Sequence, residues 1–209
     1  MRSVIFSICL MCMNSTSWGS AYFDAINQFE KKYKLPAGTL YTISKLETSH
    51  RPWTLNVNGI AVYLQSQNQL IYALREISNK PFYFQSNDNF HNFHKTEELA
   101  KQAALKLNVP FSKIQKLNIK STDICGTQLN YYWNEASFNN VIEMTDIHKC
   151  LERSAQLLKN HINTHGFEVG VACYHNCDQK SDFHRIYKRK FLNEYRKLFP
   201  KQYDLITSR

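Results

Sequence analysis

Thr39-Leu-Tyr-Thr-Ile-Ser-Lys-Leu-Glu-Thr-Ser49 is the stretch around which the rest of the chain is organised. Leu40, Ile43 and the Leu46/Glu47 pair recur at helical spacing, so the segment predicts a helix with one stripe turned inward. Glu47 falls at the edge of that stripe, near the helix end. A carboxylate on an apolar stripe is costly when ionised. Burial raises its pKa toward neutrality, where the group can donate a proton and later accept one. The competing reading of the same residue is a solvated glutamate at a helix terminus.

On the N-terminal side, Tyr22 to Tyr33 predicts an amphipathic helix with Phe23, Ile26, Phe29 and Tyr33 on one face. Leu35-Pro36 stops it, because proline lacks the amide hydrogen and crowds the preceding turn. On the C-terminal side, Pro52 ends the central helix and Trp53 to Gly59 reads as a turn-rich segment. Ile60, Val62 and Leu64 predict a short strand. Gln67 to Ile77 predicts a helix, Lys80-Pro81 a break, Phe82 to Phe84 a second strand, and the polar run Ser86 to His94 a loop. Thr96 is placed to cap a helix that carries Glu97 and Glu98 in its first turn and runs to about Leu107. A short helix is expected around Ser112 to Leu117. Ile147, Leu151, Ala155, Leu158 and Ile162 mark a long helix over Asp146 to His165, with Gly166 as its stop. Phe167 to Tyr174 predicts a core helix. Phe183, Tyr187, Phe191, Tyr195 and Leu198 line the inner face of a final basic helix, whose Lys188-Arg-Lys190 cluster reads as a solvated face.

With 209 residues, 43% of them hydrophobic and 13% aromatic, the chain has material for one sizeable core, which excludes a disordered chain. Met1-Arg2, the apolar run Val4 to Met13 and the small residues Gly19-Ser20-Ala21 read as an export signal cut after Ala21. The run is too short to span a bilayer stably, and no later run approaches that length. The expected organisation is therefore a signal peptide over 1–21 and a single domain over 22–209. Removing the signal leaves Cys125, Cys150, Cys173 and Cys177, which in an exported chain imply two disulfides with the pairing open. The formal net charge of +9, about +8 without Arg2, suits an anionic polymer. Export argues against nucleic acid as that polymer and for an acidic cell-wall polymer.

Three further stretches fall into order with the central helix. Pro52-Trp-Thr-Leu-Asn-Val-Asn-Gly59 follows it, then Cys125-Gly-Thr-Gln-Leu-Asn130, then Ala172-Cys-Tyr-His175. With Glu47-Thr-Ser49 they resemble the motif series of the soluble lytic transglycosylase (SLT) family, enzymes of lysozyme-like fold that cleave peptidoglycan. Glu47-Thr-Ser49 matches the family's Glu-Ser helix end. Gln128 and Asn130 match its Gly-x-Met-Gln-Ile-Asn loop, and Tyr174 its Ala-x-Tyr-Asn motif. The resemblance covers most of the chain after residue 21, with the stretch from about 82 to 116 as an insertion. Cys125, Thr127 and His175 depart from the family pattern, which puts the details of glycan contact in question.

The resemblance implies a mainly helical α+β domain with a small strand element around Ile60–Leu64 and Phe82–Phe84. It also implies a reaction with one carboxylate and no cofactor. Glu47 would protonate the bridging oxygen between N-acetylmuramic acid and N-acetylglucosamine, then take the proton of the muramic acid C6 hydroxyl as a 1,6-anhydro end closes. Tyr174 would hold Glu47, while Asn56, Gln128 and Asn130 would line the glycan groove. The expected partners are peptidoglycan strands in the periplasm, and small exported members of the family serve secretion or pilus machines that span the envelope. Two other readings stay open. One is a lysozyme-type hydrolase that adds Asp123 as a second carboxylate. The other is a wall-binding module without activity. Cys173 and Cys177 with His148, Cys150 and His184 could be read as a zinc set, but the spacing is poor and export favours disulfides, so no metal is expected. A cysteine nucleophile is opposed by the same oxidising compartment.

Overall fold

The computed structural model describes residues 16–88 and 91–208. The basic start and apolar run of the expected export signal lie outside the described residues. The fold is mainly helical with short antiparallel strands, an α+β arrangement. In chain order it runs α1 (Thr16–Lys32), α2 (Thr39–Thr48), β1 (Thr54–Val57), β2 (Ile60–Tyr63), α3 (Gln67–Asn79), β3 (Phe82–Gln85), β4 (His91–His94) and α4 (Glu97–Lys106). It continues with β5 (Gln115–Lys116), β6 (Thr122–Ile124), β7 (Leu129–Asn130), α5 (Tyr131–Asn134), α6 (Ile147–His165), α7 (Phe167–Cys173), α8 (Asp182–Leu198) and α9 (Pro200–Thr207). No described helix is long and apolar enough to cross a membrane.

The main core forms where α1, α2, α6, α7 and α8 meet. Ile26, Leu40, Ile43, Ala155, Leu158, Val171, Phe191 and Tyr195 are all closed to solvent there. Burying each large apolar side chain contributes about 1.5–3 kcal/mol, which is why the sequence stripes on these helices face one another. A buried glutamate sets the start of α2. Glu30, at the end of α1, accepts the Gly38 and Leu40 amides at 2.7 and 2.6 Å and the Tyr41 amide at 3.1 Å. Those are donors that a helix N-terminus leaves without internal partners.

A second core lies under the larger sheet, whose strand order is β2-β1-β6-β7, all antiparallel. Leu55, Val57, Ile124 and Leu129 point from it onto Leu70, Leu74 and Ile77 of α3. The segment read as turn-rich contains strand β1. Asn58-Gly59 closes the β1–β2 hairpin with φ of 51° and 82°, the positive pair that a two-residue primed turn requires. The stretch from Phe82 to Lys116 builds a three-stranded sheet of its own, order β4-β3-β5. Phe84, Ala100, Ala104 and Val109 form a small core between this sheet and α4. Within the run expected to be a loop, His91–His94 is an edge strand paired with β3 in the register Phe82↔His94 to Gln85↔His91. Its polar composition hides a strand because histidine does part of the packing: Phe93 lies against Tyr83 with ring centroids 5.2 Å apart, and on the other face His94 stacks on Phe84 at 5.7 Å. Thr96 caps α4 as the sequence predicts, accepting the Leu99 amide, and Asp146 caps α6, accepting the Lys149 amide.

The four cysteines of the described chain form two disulfides, Cys125–Cys150 and Cys173–Cys177. The first ties the loop after β6 to α6 and is buried. The second closes a short loop at the end of α7. Such bonds persist in oxidising compartments.

Candidate functional site

Glu47 occupies the last turn of α2, half-buried, where that helix meets α8 and the larger sheet. The Tyr187 hydroxyl of α8 donates to its Oε1 at 2.6 Å. Burial raises the Glu47 pKa to about 7. The Tyr187 bond and the nearby Lys190 charge pull it down, and Asp123 pushes it up, but loss of hydration is the largest effect. A glutamate in that range is populated in both protonation states near neutral pH, as a group that must donate and recover one proton requires.

The sheet presents a polar row whose central charge, Asp123, reaches Glu47. Antiparallel partners put their side chains on the same face, and Asn56 of β1 pairs with Asp123 of β6, which pairs with Asn130 of β7. The residues on either side, Leu55, Val57, Ile124 and Leu129, point the other way into the core. Asp123 accepts from Asn130 Nδ2 at 2.8 Å, and burial raises its pKa. Asn130 Oδ1 accepts the Trp133 amide and caps α5. The Asn56 Oδ1 is shielded from solvent and has no hydrogen-bond partner among the described residues. Leaving a buried acceptor unpaired costs free energy.

The Cys125–Asn130 loop is fixed against the end of α2. Thr48 Oγ1 donates to the Gly126 carbonyl at 2.8 Å, and Thr54 Oγ1 donates to the Cys125 carbonyl at 2.7 Å. Cys125 and Gln128 both take positive φ, 66° and 52°. A Cβ at Gly126 would lie 2.0 Å from the Tyr22 hydroxyl oxygen and 3.0 Å from the Arg51 carbonyl. Tyr22 is buried and tied to Ser44 at 2.8 Å, so it has little room to withdraw. Gly126→Ala is therefore expected to destabilise the fold by about 1–3 kcal/mol in urea unfolding. Adding Tyr22→Phe, which removes the colliding oxygen, should recover part of that loss. A single variant as stable as the wild type would refute the close fit.

The residues singled out from the sequence distribute as follows. Glu47, Asn56 and Asn130 belong to the site, with Asp123 between the two asparagines. Gln128 braces its own loop, donating from Nε2 to Thr54 Oγ1 at 3.0 Å and to the Cys125 carbonyl at 3.1 Å. Tyr174 is close enough for the Glu47 charge to raise its pKa, but its hydroxyl donates to the Thr127 carbonyl at 3.0 Å and lies 3.0 Å from Ser154 Oγ. It holds the floor of the loop; the hydrogen bond to Glu47 comes from Tyr187.

Three participants were read otherwise from the sequence. Tyr187 was one apolar position in a stripe, although a buried phenol needs a partner for its hydroxyl. His175, a departure from the family motif, stacks on Tyr187 with ring centroids 4.8 Å apart and planes 5° from parallel, and feels the Asp123 charge. Lys190, read as part of a solvated cluster, acts on Glu47. Beyond Asn130, a depression lined by Asn118, Lys120, Ser121, Tyr132 and Trp133 extends the row. Trp133 is 78% exposed and edge-on to Tyr132 at 4.7 Å. The zinc set weighed from the sequence is not assembled: Cys150 is bonded to Cys125, and His184 Nδ1 lies 2.6 Å from the Asn176 carbonyl.

The search for relatives gave no match of this chain to a family model, a curated protein or a solved structure.

Proposed function

We propose that the protein is an exported peptidoglycan lytic transglycosylase of the SLT type, with a lysozyme-like fold and Glu47 as its single general acid and base. The observation that carries the reading is the half-buried Glu47 carboxyl, its pKa raised to about 7, hydrogen-bonded to Tyr187 and within reach of the charge of Asp123, the centre of the Asn56–Asp123–Asn130 row. The motif series from Glu47 to Tyr174 and the two disulfides agree with it. The disulfides fit a protein of the periplasm, and the basic surface fits an anionic wall polymer.

In this reaction protonated Glu47 gives its proton to the oxygen bridging N-acetylmuramic acid and N-acetylglucosamine. The bond from that oxygen to the muramic C1 breaks and leaves an oxocarbenium-like centre. The Glu47 carboxylate then removes the proton of the C6 hydroxyl, O6 bonds to C1, and Glu47 ends protonated as it began. No water is consumed. Tyr187 keeps the carboxyl aimed through the cycle. Asn56 and Asn130, at the two ends of the polar row, offer side-chain amides to the sugar strand, and the exposed Trp133 face packs on a pyranose ring farther along it. Envelope-spanning secretion or pilus machines are the natural setting for a small exported enzyme of this kind.

Purified protein incubated with peptidoglycan should release muropeptides with 1,6-anhydro ends, each one water lighter than a hydrolysed product. One observation favours a second reading: Asp123 lies close enough to Glu47 to shift its pKa, the pairing a two-carboxylate hydrolase needs. Reducing ends in place of anhydro ends would select that reading. Strand binding without any product would make the protein a wall-binding module.

Tyr187→Phe separates aim from acidity. The lost donor stabilised the carboxylate by about 1.5–3 kcal/mol, so the Glu47 pKa should rise by about one unit or more. The loss of rate at high pH should then move to higher pH while the rate at neutral pH falls. An unchanged pH profile would remove Tyr187 from the proposal.

A further inference from the structure

We propose that His161, His165, Cys173 and Cys177 form a zinc site for which the Cys173–Cys177 disulfide is the oxidised, closed state. The two histidines sit four residues apart near the end of α6, which puts both rings on one helical face, 6.4 Å apart between centroids. α7 folds back along α6 and brings Cys173, its last residue, and Cys177, in the following loop, to that face. One ligand atom from each residue lies within 4.8 Å of all the others, and His161 Nδ1 is 3.8 Å from Cys177 Sγ.

A tetrahedral zinc ion with the usual bond lengths to sulfur and imidazole nitrogen needs donors about 3.3–3.8 Å apart. The four side chains are thus near that geometry, and a Cys₂His₂ donor set selects zinc over the hard cations. The two sulfurs must separate, which breaking their bond allows, and donors as far as 4.8 Å apart must draw in by about 1 Å. His165 and Cys177 are exposed, so an ion can enter. Neither histidine takes part in the chemistry around Glu47. The set differs from the one weighed in the sequence, which took His148, Cys150 and His184; His161 and His165 meet the cysteines across the α6–α7 turn.

The exchange balances. Two equivalents of a small thiol reduce the disulfide, are themselves joined as a disulfide, and leave Cys173 and Cys177 as thiols. Zinc then binds with release of one proton from each thiol. The Cys125–Cys150 bond, closed to solvent, is left intact.

Cobalt(II), which takes the same tetrahedral site and absorbs visible light, is the reporter. The folded protein is treated with a water-soluble phosphine, which reduces the disulfide as it is oxidised to its oxide with oxygen from water; thiols are counted and cobalt is added. For protein lacking residues 1–21, and with them Cys9 and Cys12, the expected result is two free thiols per chain and one bound cobalt with tetrahedral and thiolate-to-metal bands, displaced by zinc. The oxidised protein should bind none, and His161→Ala/His165→Ala and Cys173→Ser/Cys177→Ser should each abolish the bands. Circular dichroism reports that the variants are folded; the histidine pair lies at the surface and leaves the core untouched. Reduced, folded protein without these bands overturns the proposal, as do bands in the oxidised protein or bands that survive loss of both histidines.

Discussion

Glu47→Gln is expected to lower the rate of glycan cleavage by about 10²–10⁴, the range that a positioned general acid and base supplies. Gln keeps the shape of the side chain and can still accept the Tyr187 hydrogen bond, so the loss isolates the proton. Release of anhydro muropeptides, followed by mass, measures it. Retention of full activity would end the enzyme reading based on this residue. For the wild type the rate should fall about tenfold per pH unit above about 7, because the first step needs the protonated acid.

The same substitution should make the protein more stable in alkaline solution. The folded state holds Glu47 at about 7 against an ordinary value of 4.5, so between those values the folded chain binds more protons than the unfolded one. Stability then falls as pH rises through that window, by about 3 kcal/mol in all. Glu47→Gln removes the dependence. Its gain should be near zero at pH 4 and approach about 3 kcal/mol at pH 8, read from denaturant midpoints at the two pH values. An equal effect at both would mean that the carboxyl is not strained by burial.

The second large effect is at the far end of the same helix. Glu30→Ala should destabilise the protein by about 3–5 kcal/mol, since three donors at the start of α2 lose their acceptors in a buried place and each unpaired group costs about 1–3 kcal/mol less whatever water can recover. Glu30→Gln should be nearly as damaging. Its amide offers one oxygen in place of two, and its NH₂ would face amide donors. Thermal or urea unfolding of the pair measures this. A Gln variant close to wild type would mean that a single accepted bond suffices. The loss should reach activity as well as stability, because α2 carries Glu47 and cannot tilt without moving it.

The sequence by itself settled the helices that make the main core. Stripes such as Ile147, Leu151, Ala155 and Leu158 can be buried only by a helix, and the caps at Thr96 and Asp146 act between residues three apart. It also marked Glu47, since a carboxylate on an apolar stripe is a local contradiction visible without a structure. The Asn58-Gly59 hairpin was equally local and could have been read from the two residues alone. β4 could not, because a polar edge strand is defined by the partner it pairs with.

What the tertiary structure decided is partnership. Which hydroxyl meets Glu47 depends on how α8 lies across α2, and one ring in the Phe183–Tyr195 stripe looks like the next until the helices are packed. Glu30 follows Ile26 by four residues and so shares the apolar face of its helix, but no local spacing shows the three amides that the turn at Pro36 brings onto it. The alignment of Asn56, Asp123 and Asn130 is a matter of strand register, and that of His161 and His165 with Cys173 and Cys177 a matter of one helix folding back on another. Periodicity along a chain tells which side of an element is buried. The identity of the group it is buried against comes from contacts between distant segments, whose energies no local spacing encodes.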